Sequence, residues 1–148
     1  MKVLNYPAKL LRFAVSELNF GCVYPKDPEK EEIDLESHEV DFSYDIFHSN
    51  EKEFLIEIML DISPGHAKPG YKIFLKSIGI FTINNDIEER EQKDAMLKYS
   101  CLPILLGSVR GILMNITSNF MFGTYILPMI NIKDFDNARI EAEDENEE

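Results

Sequence analysis

Residues 102–132, with the sequence LPILLGSVRGILMNITSNFMFGTYILPMINI, contain a single charged side chain, that of Arg110. In the whole chain, by contrast, 28% of the residues are charged. A helix that is apolar on all sides is covered on all sides, either by lipid or by other parts of a protein. The segment therefore predicts a deeply buried element, and what covers that element decides the fold.

Prolines, glycines and asparagines interrupt this segment, whereas a membrane-spanning helix needs about 20 consecutive apolar residues. We therefore expect a protein that does not span a membrane and a buried helix over about Ile104–Phe122. The helix is predicted to begin after Pro103 and to end at Gly123, because glycine readily adopts the left-handed conformation that terminates helices. Gly107 and Gly111 lie four residues apart on one helix face and allow another backbone to come close. The helix is thus predicted to lie between two layers of protein.

The composition is typical of one globular domain, with 148 residues and a hydrophobic fraction of 45%. Its two cysteines, Cys22 and Cys101, form no CxxC motif. The N-terminal region lacks the continuous apolar run and the cleavage site of a signal peptide. We therefore expect a cytoplasmic protein with reduced thiols and a single domain over residues 1–139.

The formal net charge of −12 is unevenly distributed, because Glu141–Glu148 holds six acidic groups in eight positions. This composition predicts a disordered acidic tail over residues 140–148, which either solubilises the protein or docks a basic partner. The rest of the chain is also acidic, and nucleic acids are bound by clustered Lys and Arg side chains. We expect no nucleic-acid partner.

Alternating apolar residues between Val40 and Ile62 predict two strands, each with one buried face. A polar turn at Ser49–Lys52 separates the strands, which we expect to form an antiparallel hairpin. The apolar residues on the buried face are Val40, Phe42, Tyr44, Ile46, Phe54, Ile56, Ile58, Leu60 and Ile62.

Two further strands and two helices complete the predicted fold. We expect a strand over Lys9–Phe20, another over Tyr71–Ile83, and a short polar helix over Asp86–Tyr99 that leads into the buried helix. The fold class is therefore α+β, with a four-stranded antiparallel sheet followed by a short and a long helix. The sheet has an apolar second face and the helix is apolar all round, so both need a covering layer from another copy of the chain. Closed, symmetric homo-oligomers are the usual result.

The sequence predicts no metal, no cofactor and no enzymatic activity. His38, His48 and His66 show no zinc-ligand spacing, and no phosphate-binding glycine motif is present. Glu88 and Glu89 lie in a solvated run, whereas a general acid needs a cleft that raises its pKa. No serine lies in a nucleophile elbow. A small-ligand enzyme assembled at a subunit interface stays open as an alternative.

Four short motifs occur together in an order and at a spacing that one family shares. They are SELNF at residues 16–20, GIFTI at 79–83, PILL at 103–106 followed by Arg110, and Thr124 followed by LPM at 127–129. Over roughly residues 9–135 the chain resembles the SecB preprotein chaperone family. The resemblance implies an ATP-independent holdase, built as a tetramer from two dimers, whose surface grooves hold unfolded polypeptides for export.

Exposed apolar and aromatic surface, together with backbone hydrogen bonds to an extended client, gives such a groove low sequence selectivity. We expect the aromatic side chains of the strands to line the groove, with methionines as adaptable partners. A Phe at an alternating strand position or a Met in a buried helix is nevertheless more often part of a core. The predicted groove residues are Phe42, Tyr44, Phe54, Phe81, Met114 and Met121.

The contact between subunits is predicted at Ile73, Leu75 and Ser77, which share one face of the last strand, and at Gly107 and Gly111. Arg110 is interpreted as a structural residue, paired with a carboxylate or with helix carbonyls, because an unpaired buried charge is too costly.

Departures from the family pattern bear on the partner. In the classical chaperone, acidic residues of the sheet dock the SecA motor. Glu17 matches one of them, whereas Gly21 and Phe74 stand where two others are expected. Possible SecA docking through Glu17 is therefore one hypothesis. A SecB-like chaperone or adaptor with a dedicated partner outside export, such as an antitoxin, is the other.

Overall fold

A computed structural model of the protein describes residues 7–83 and 90–147 and shows an antiparallel sheet followed by helices. The strands are β1 (Ala8–Val23), β2 (Glu39–His48), β3 (Glu53–Ser63) and β4 (Gly70–Ile83). The helices are α1 (Arg90–Met96), α2 (Leu102–Thr117) and α3 (Ile132–Glu147), and a π-helical turn at Leu97–Cys101 joins α1 to α2. The predicted α+β class with a four-stranded antiparallel sheet is confirmed.

The strand order in the sheet is β1-β4-β3-β2, so β1 and β2 form its two edges. The predicted hairpin is present, with Phe42 opposite Leu60 and Tyr44 opposite Ile58. The chain then returns along β4, which pairs with β3 on one side and with the long β1 on the other. The first and last strands in sequence are therefore neighbours in the sheet.

The core lies between α2 and one face of the sheet, which we call the inner face. β3 and β4 present alternate side chains to it, and these are almost completely buried. Gly79 lies beneath the helix, where a Cβ atom would come within 2.9 Å of Leu105. The helical residues that complete the core are Leu102, Leu105, Leu106, Val109 and Leu113.

The bounds of the buried helix differ from those predicted. Its last helical residue is Thr117, and Gly123 adopts a positive φ of 85° only after further turns. The buried Thr117 hydroxyl donates to the carbonyl oxygen of Leu113 at 2.6 Å and accepts from the backbone N–H of Tyr125 at 2.8 Å. This side chain thus joins the last turn of the helix to the returning chain. At the other end Pro103 lies within the helix, just after the π-helical turn, which accommodates its missing N–H.

The predicted start of the short helix at Asp86, like Glu88 and Glu89, lies outside the described residues. The disordered tail predicted from residue 140 is replaced by a continuous helix, since α3 extends to Glu147. Alanine and glutamate favour helix formation, and Arg139 and Glu143 form an ion pair of 3.9 Å one turn apart. In the structure these acidic residues therefore continue α3.

The helix from Arg90 to Thr117 is long and apolar enough to cross a membrane by length and composition alone, a test that the core helices of soluble proteins also pass. One side of α2 packs on the inner face of the sheet. The opposite side, with Ile104, Gly107, Gly111 and Met114, is exposed within the described part of the chain. We expected protein to cover α2 on every side. Within the described part of this subunit, the sheet covers one side of the helix and the opposite side is exposed.

Candidate binding surface

Residues 118–131, which we call the return segment, run back along α2 toward its N-terminal end. The bond from the Tyr125 N–H to Thr117 holds its start. Farther along, Arg110 donates from Nε to the carbonyl oxygen of Leu127 at 2.9 Å and from Nη2 to that of Pro128 at 3.3 Å. The guanidinium of Arg110 is therefore hydrogen-bonded to backbone carbonyl oxygens. The prediction named helix carbonyls as one kind of partner, whereas the carbonyls found belong to the return segment.

The return segment alternates between buried and exposed apolar side chains. Tyr125 and Leu127 are buried in the core. Ile126 and Met129, by contrast, are 61% and 90% exposed. The segment is thus anchored through one set of side chains and presents large apolar groups to solvent through the other.

Five aromatic side chains meet where β1 ends and the return segment begins. Phe20 stacks against Phe120 with ring centroids 4.4 Å apart and against Tyr71 at 5.3 Å. Phe122 lies 5.4 Å from Tyr71 and 5.9 Å from Tyr24. We call this group the aromatic cluster.

The aromatic cluster is anchored at its base and open at its edge. The hydroxyl of Tyr71 donates to the carbonyl oxygen of Gly123 at 2.7 Å, and burial raises its pKa. Tyr24 is 63% exposed, Phe120 is partly exposed, and the neighbouring Met121 is 68% exposed. Rigid aromatic rings beside a flexible thioether form an adaptable apolar surface, and exposed apolar patches mark interaction sites.

The sequence interpretation missed most of this cluster. Of the groove residues it named, Met121 is exposed and lies between Phe120 and Phe122 in sequence, and Met114 is exposed on α2. One sequence feature could have pointed to the cluster, namely the several aromatic residues that follow the helix: Phe120, Phe122 and Tyr125. This feature does not predict that Phe20 joins them.

The other predicted groove residues are buried. Phe54 belongs to the core between sheet and helix, and Phe81 forms one wall of a cavity of about 410 Å³ beside Cys101. Phe42 and Tyr44 lie under the first turn of α3, where the ring of Phe135 contacts both of them. These four aromatic residues therefore offer no open groove in this conformation.

Of the residues predicted at the contact between subunits, three are buried and two are exposed. Ile73, Leu75 and Ser77 are buried beneath α2, and a side chain without accessible surface cannot touch a second subunit. Their placement at an interface is therefore corrected: they are core residues. Gly107 and Gly111 are exposed, and a Cβ atom built on either would meet no described atom within 4 Å.

The strand register places Glu17 on the outer face of the sheet, opposite Lys76, which pairs with Glu57 at 3.8 Å. Gly21 and Phe74 lie on the same face, opposite Lys72 and Asn19. These positions share one surface, as the resemblance implies, with Glu17 as the acidic member.

Among the titratable side chains described, those of His38 and Cys101 lie in structural environments, one hydrogen-bonded and one buried. Over residues 7–83 and 90–147, no group of three or more His, Cys, Asp or Glu is arranged to hold a metal ion. The Nδ1 of His38 lies 2.9 Å from the carbonyl oxygen of Asp34, and its Nε2 accepts from the backbone N–H of Tyr71. Burial raises the pKa of Cys101 to about 11, so its thiol is neutral at physiological pH.

No protein-family model and no curated protein matches the sequence. Among solved structures, the chain is similar to the SecB-like chaperone Rv1957 of Mycobacterium tuberculosis, in complex with a ChAD peptide from the antitoxin HigA1 (Rv1956). That match covers 84% of this chain and 91% of the other, with a TM-score of 0.58 and 11% identity. A protein of unknown function from Streptococcus agalactiae matches over 83% of this chain and 97% of its own, with a TM-score of 0.49 and 12% identity.

At such low identity the likeness to Rv1957 bears on the fold and not on the chemistry of individual sites. The features it covers are the four antiparallel strands and the C-terminal helices that follow them. The fold of this protein is SecB-like.

Proposed function

We propose that the protein is an ATP-independent chaperone that holds unfolded polypeptides. The observation that carries this proposal is the partly exposed aromatic cluster with Met121 at its edge, on a SecB-like fold. In the similar structure of Rv1957, the SecB-like chaperone is bound to a peptide from an antitoxin. A polypeptide is accordingly the ligand class we assign to this surface.

The mode of binding follows from the place of the cluster in the sheet. Phe20 and Tyr24 lie at the end of β1, which is an edge strand. Edge strands carry unpaired backbone N–H and C=O groups, which an extended peptide can use for main-chain hydrogen bonds. Rings and thioether groups then accept the apolar side chains of the client with little regard to sequence.

The clients proposed first are preproteins and other unfolded chains destined for export, with SecA docking at Glu17. A second candidate is a dedicated partner outside export, such as an antitoxin. Two observations favour it: Gly21 and Phe74 occupy two outer-face positions where the resemblance implies acidic residues that dock the motor, and the Rv1957 structure contains an antitoxin peptide.

We further propose a cytoplasmic homotetramer built as a dimer of dimers. The exposed side of α2 supports this assembly, because Ile104 and Met114 flank two glycines that leave room for close backbone approach. The free cysteines Cys22 and Cys101 fit a reducing compartment.

Anisotropy of a fluorescently labelled, permanently unfolded polypeptide, titrated with the full-length protein without ATP, tests the proposal. We expect Tyr24→Ser and Met121→Ser each to raise the Kd about fivefold, because each removes exposed apolar contact area. Leu11→Ser is the matched control, since Leu11 is also exposed but lies at the opposite end of β1. Equal effects at all three positions, or no binding by the folded wild-type protein, would contradict the proposal.

A further inference from the structure

We propose that the outer face of the sheet carries a binding site for a purine nucleotide, with guanine as the preferred base. In this site Phe74 stacks against the base, and Lys68 and Lys72 hold the phosphate. Binding of the nucleotide, and not its hydrolysis, is what we assign. The inference does not rest on the proposed function. We call Asp61, Ser63, Lys68, Lys72 and Phe74 the outer-face site.

Two cavities adjoin at the end of the outer face where β4 begins. One, of about 550 Å³, lies over β1, β3 and β4. The other, of about 430 Å³, lies beside the loop that joins β3 to β4. Ser63 and Lys72 line both cavities, so these are parts of one depression. Small-molecule sites have volumes of this order. The depression therefore has room for a ligand with two chemically different parts.

The cavity beside the loop is lined by cationic and hydrogen-bond donor groups. His66, Lys68 and Lys72 line it, and none of the described residues in its lining is acidic. Ser63 Oγ accepts from the backbone N–H of Gly65 at 3.2 Å, which leaves its hydroxyl proton for another acceptor. The chain as a whole has a formal net charge of −12, so the charge of this cavity is opposite in sign. Ammonium and hydroxyl donors that converge in this way recognise a phosphate.

The two lysines of this cavity have no carboxylate partner in the described part of the chain. The ion pairs of 4.0 Å or less over residues 7–83 and 90–147 include neither Lys68 nor Lys72. Lys76, the next lysine along the outer face of β4, pairs with Glu57 at 3.8 Å. The charges of Lys68 and Lys72 are therefore available to an anion, whereas that of Lys76 already has a partner.

The cavity over the strands offers an aromatic side chain with open space beside it. Phe74 is partly exposed and lies between Asn19 of β1 and Asp61 of β3 in the strand register. Close by on β1, a Cβ atom added to Gly21 would meet no described atom within 4 Å. Aromatic side chains stack well on nucleobases. A flat base can therefore lie over Phe74 in the space that Gly21 leaves.

Spacing and charge orient the ligand in the depression. Phe74 and Lys72 lie on one face of β4, two residues and thus about 7 Å apart, which is similar to the separation of base and phosphate in a nucleotide. Asp61, next to Phe74, repels a phosphate and accepts hydrogen bonds from base amino groups. Guanine presents an amino group and a ring N–H on one edge, and both can donate to a single carboxylate. The base is therefore placed at Phe74 and the phosphate at the lysines.

Isothermal titration calorimetry of the full-length protein with guanosine monophosphate tests the proposal. We expect saturable binding, and we expect guanosine alone and inorganic phosphate alone to bind about tenfold more weakly or worse. Lys72→Gln and Phe74→Ser should each raise the Kd for guanosine monophosphate about tenfold. Gly21→Leu should weaken binding as well, because its side chain would fill the space for the base. Lys76→Gln is the matched control, since Lys76 lies on the same strand face but outside both cavities.

A matched pair of ligands assigns the role of Asp61. Inosine monophosphate lacks only the exocyclic amino group of guanosine monophosphate, and we expect the wild-type protein to bind it about fivefold more weakly. Asp61→Asn should remove most of this preference. Asp61 and Lys72 are exposed, so circular dichroism is expected to show these variants folded.

Three results would overturn the proposal. They are the absence of saturable binding by the folded wild-type protein, binding of inorganic phosphate as tight as that of the nucleotide, and equal losses for Lys76→Gln and Lys72→Gln. Anisotropy with the unfolded polypeptide is a separate measurement on the same protein. A protein that binds the polypeptide but not the nucleotide refutes the outer-face site alone, and the reverse result refutes the proposed function alone.

Discussion

The imidazole Nε2 of His38 accepts a hydrogen bond of 3.0 Å from the backbone N–H of Tyr71. Its Nδ1 lies 2.9 Å from the carbonyl oxygen of Asp34, and a carbonyl only accepts, so Nδ1 carries the proton. A neutral histidine thus joins the turn before β2 to the start of β4. Because Tyr71 belongs to the aromatic cluster, this bond also positions the candidate binding surface.

Gly70, which precedes Tyr71, is required by that arrangement. Its φ is 149°, and a Cβ atom there would collide with the imidazole of His38 and come within 2.9 Å of Pro64. We expect Gly70→Ala to lower the free energy of unfolding by about 2 kcal/mol or more. The backbone strain of alanine at this φ and the steric clash of its Cβ atom with His38 both destabilise the folded state. Urea denaturation measures the loss. Gly21→Ala, with open space around it among the described atoms, is the control and should change stability far less.

Arg110 holds the return segment against α2 through the carbonyl oxygens of Leu127 and Pro128. Arg110→Leu is expected to lower the free energy of unfolding by about 1.5–3 kcal/mol, the range for hydrogen bonds to charged groups. In the Arg110→Leu protein, the backbone amides of residues 124–131 should exchange their hydrogens faster than in wild type. Arg110→Lys should lower the free energy of unfolding by less than Arg110→Leu does. An Arg110→Leu protein as stable as wild type would show that the buried side chains of the segment suffice to hold it.

The alkaline limit of stability is expected to depend on Cys101. Burial raises the pKa of this thiol from its ordinary value of 9.0 to about 11. Between these values the unfolded chain has lost the proton that the folded chain keeps, so the free energy of unfolding falls as the pH rises. The stabilising effect is complete below pH 9 and is lost by about pH 11. Burial of Tyr125 raises its pKa from 10.0 to about 12. This group therefore also lowers the free energy of unfolding as the pH rises, but over a higher pH range.

Urea midpoints measured from pH 8 to pH 11 check this dependence. The slope for one group approaches about 1.4 kcal/mol per pH unit at most. Cys101→Ala should flatten the decline above pH 9, whereas Cys22→Ala, at a half-buried position, should leave it unchanged. A wild-type midpoint that stays constant up to pH 11 would contradict the burial of the thiol.

The exposed side of α2 is the subunit contact that we propose. Gly107→Arg should reduce the mass of the assembly measured by light scattering, because a long charged side chain would enter an interface built for close backbone approach. The subunit should stay folded, since the position is open in the single chain. A charge at Leu75 should instead unfold the subunit, because that residue is fully buried. An unchanged mass for Gly107→Arg would exclude this face.

The sequence could predict the elements whose signal is local. Period-two alternation in residues 53–63 and 70–83 reports one buried face per strand, and the structure buries those side chains. The path of the chain after α2 could not be predicted in the same way, because it involves the contact from Thr117 to Tyr125, which forms only when the chain has turned back.

The candidate binding surface was less accessible to prediction, because it is built by distant parts of the chain. Phe20 and Phe120 are 100 residues apart in sequence and meet because β1 pairs with β4 beneath the end of α2. Near the C-terminus, Phe135 and Asp136 dock the start of α3 on Phe42 and Tyr44. These contacts also join distant parts of the chain, so no local sequence pattern contains them.

Aggregation of a chemically unfolded client, followed by light scattering without ATP, tests the central claim most directly. Wild-type protein at a near-stoichiometric ratio of oligomer to client is expected to suppress aggregation. The double variant Tyr24→Ser/Met121→Ser is expected to suppress it substantially less than the control variant Leu11→Ser does. Oligomer mass is measured on the same samples. A well-folded oligomer that leaves aggregation unchanged would contradict the holdase function and indicate a single dedicated partner.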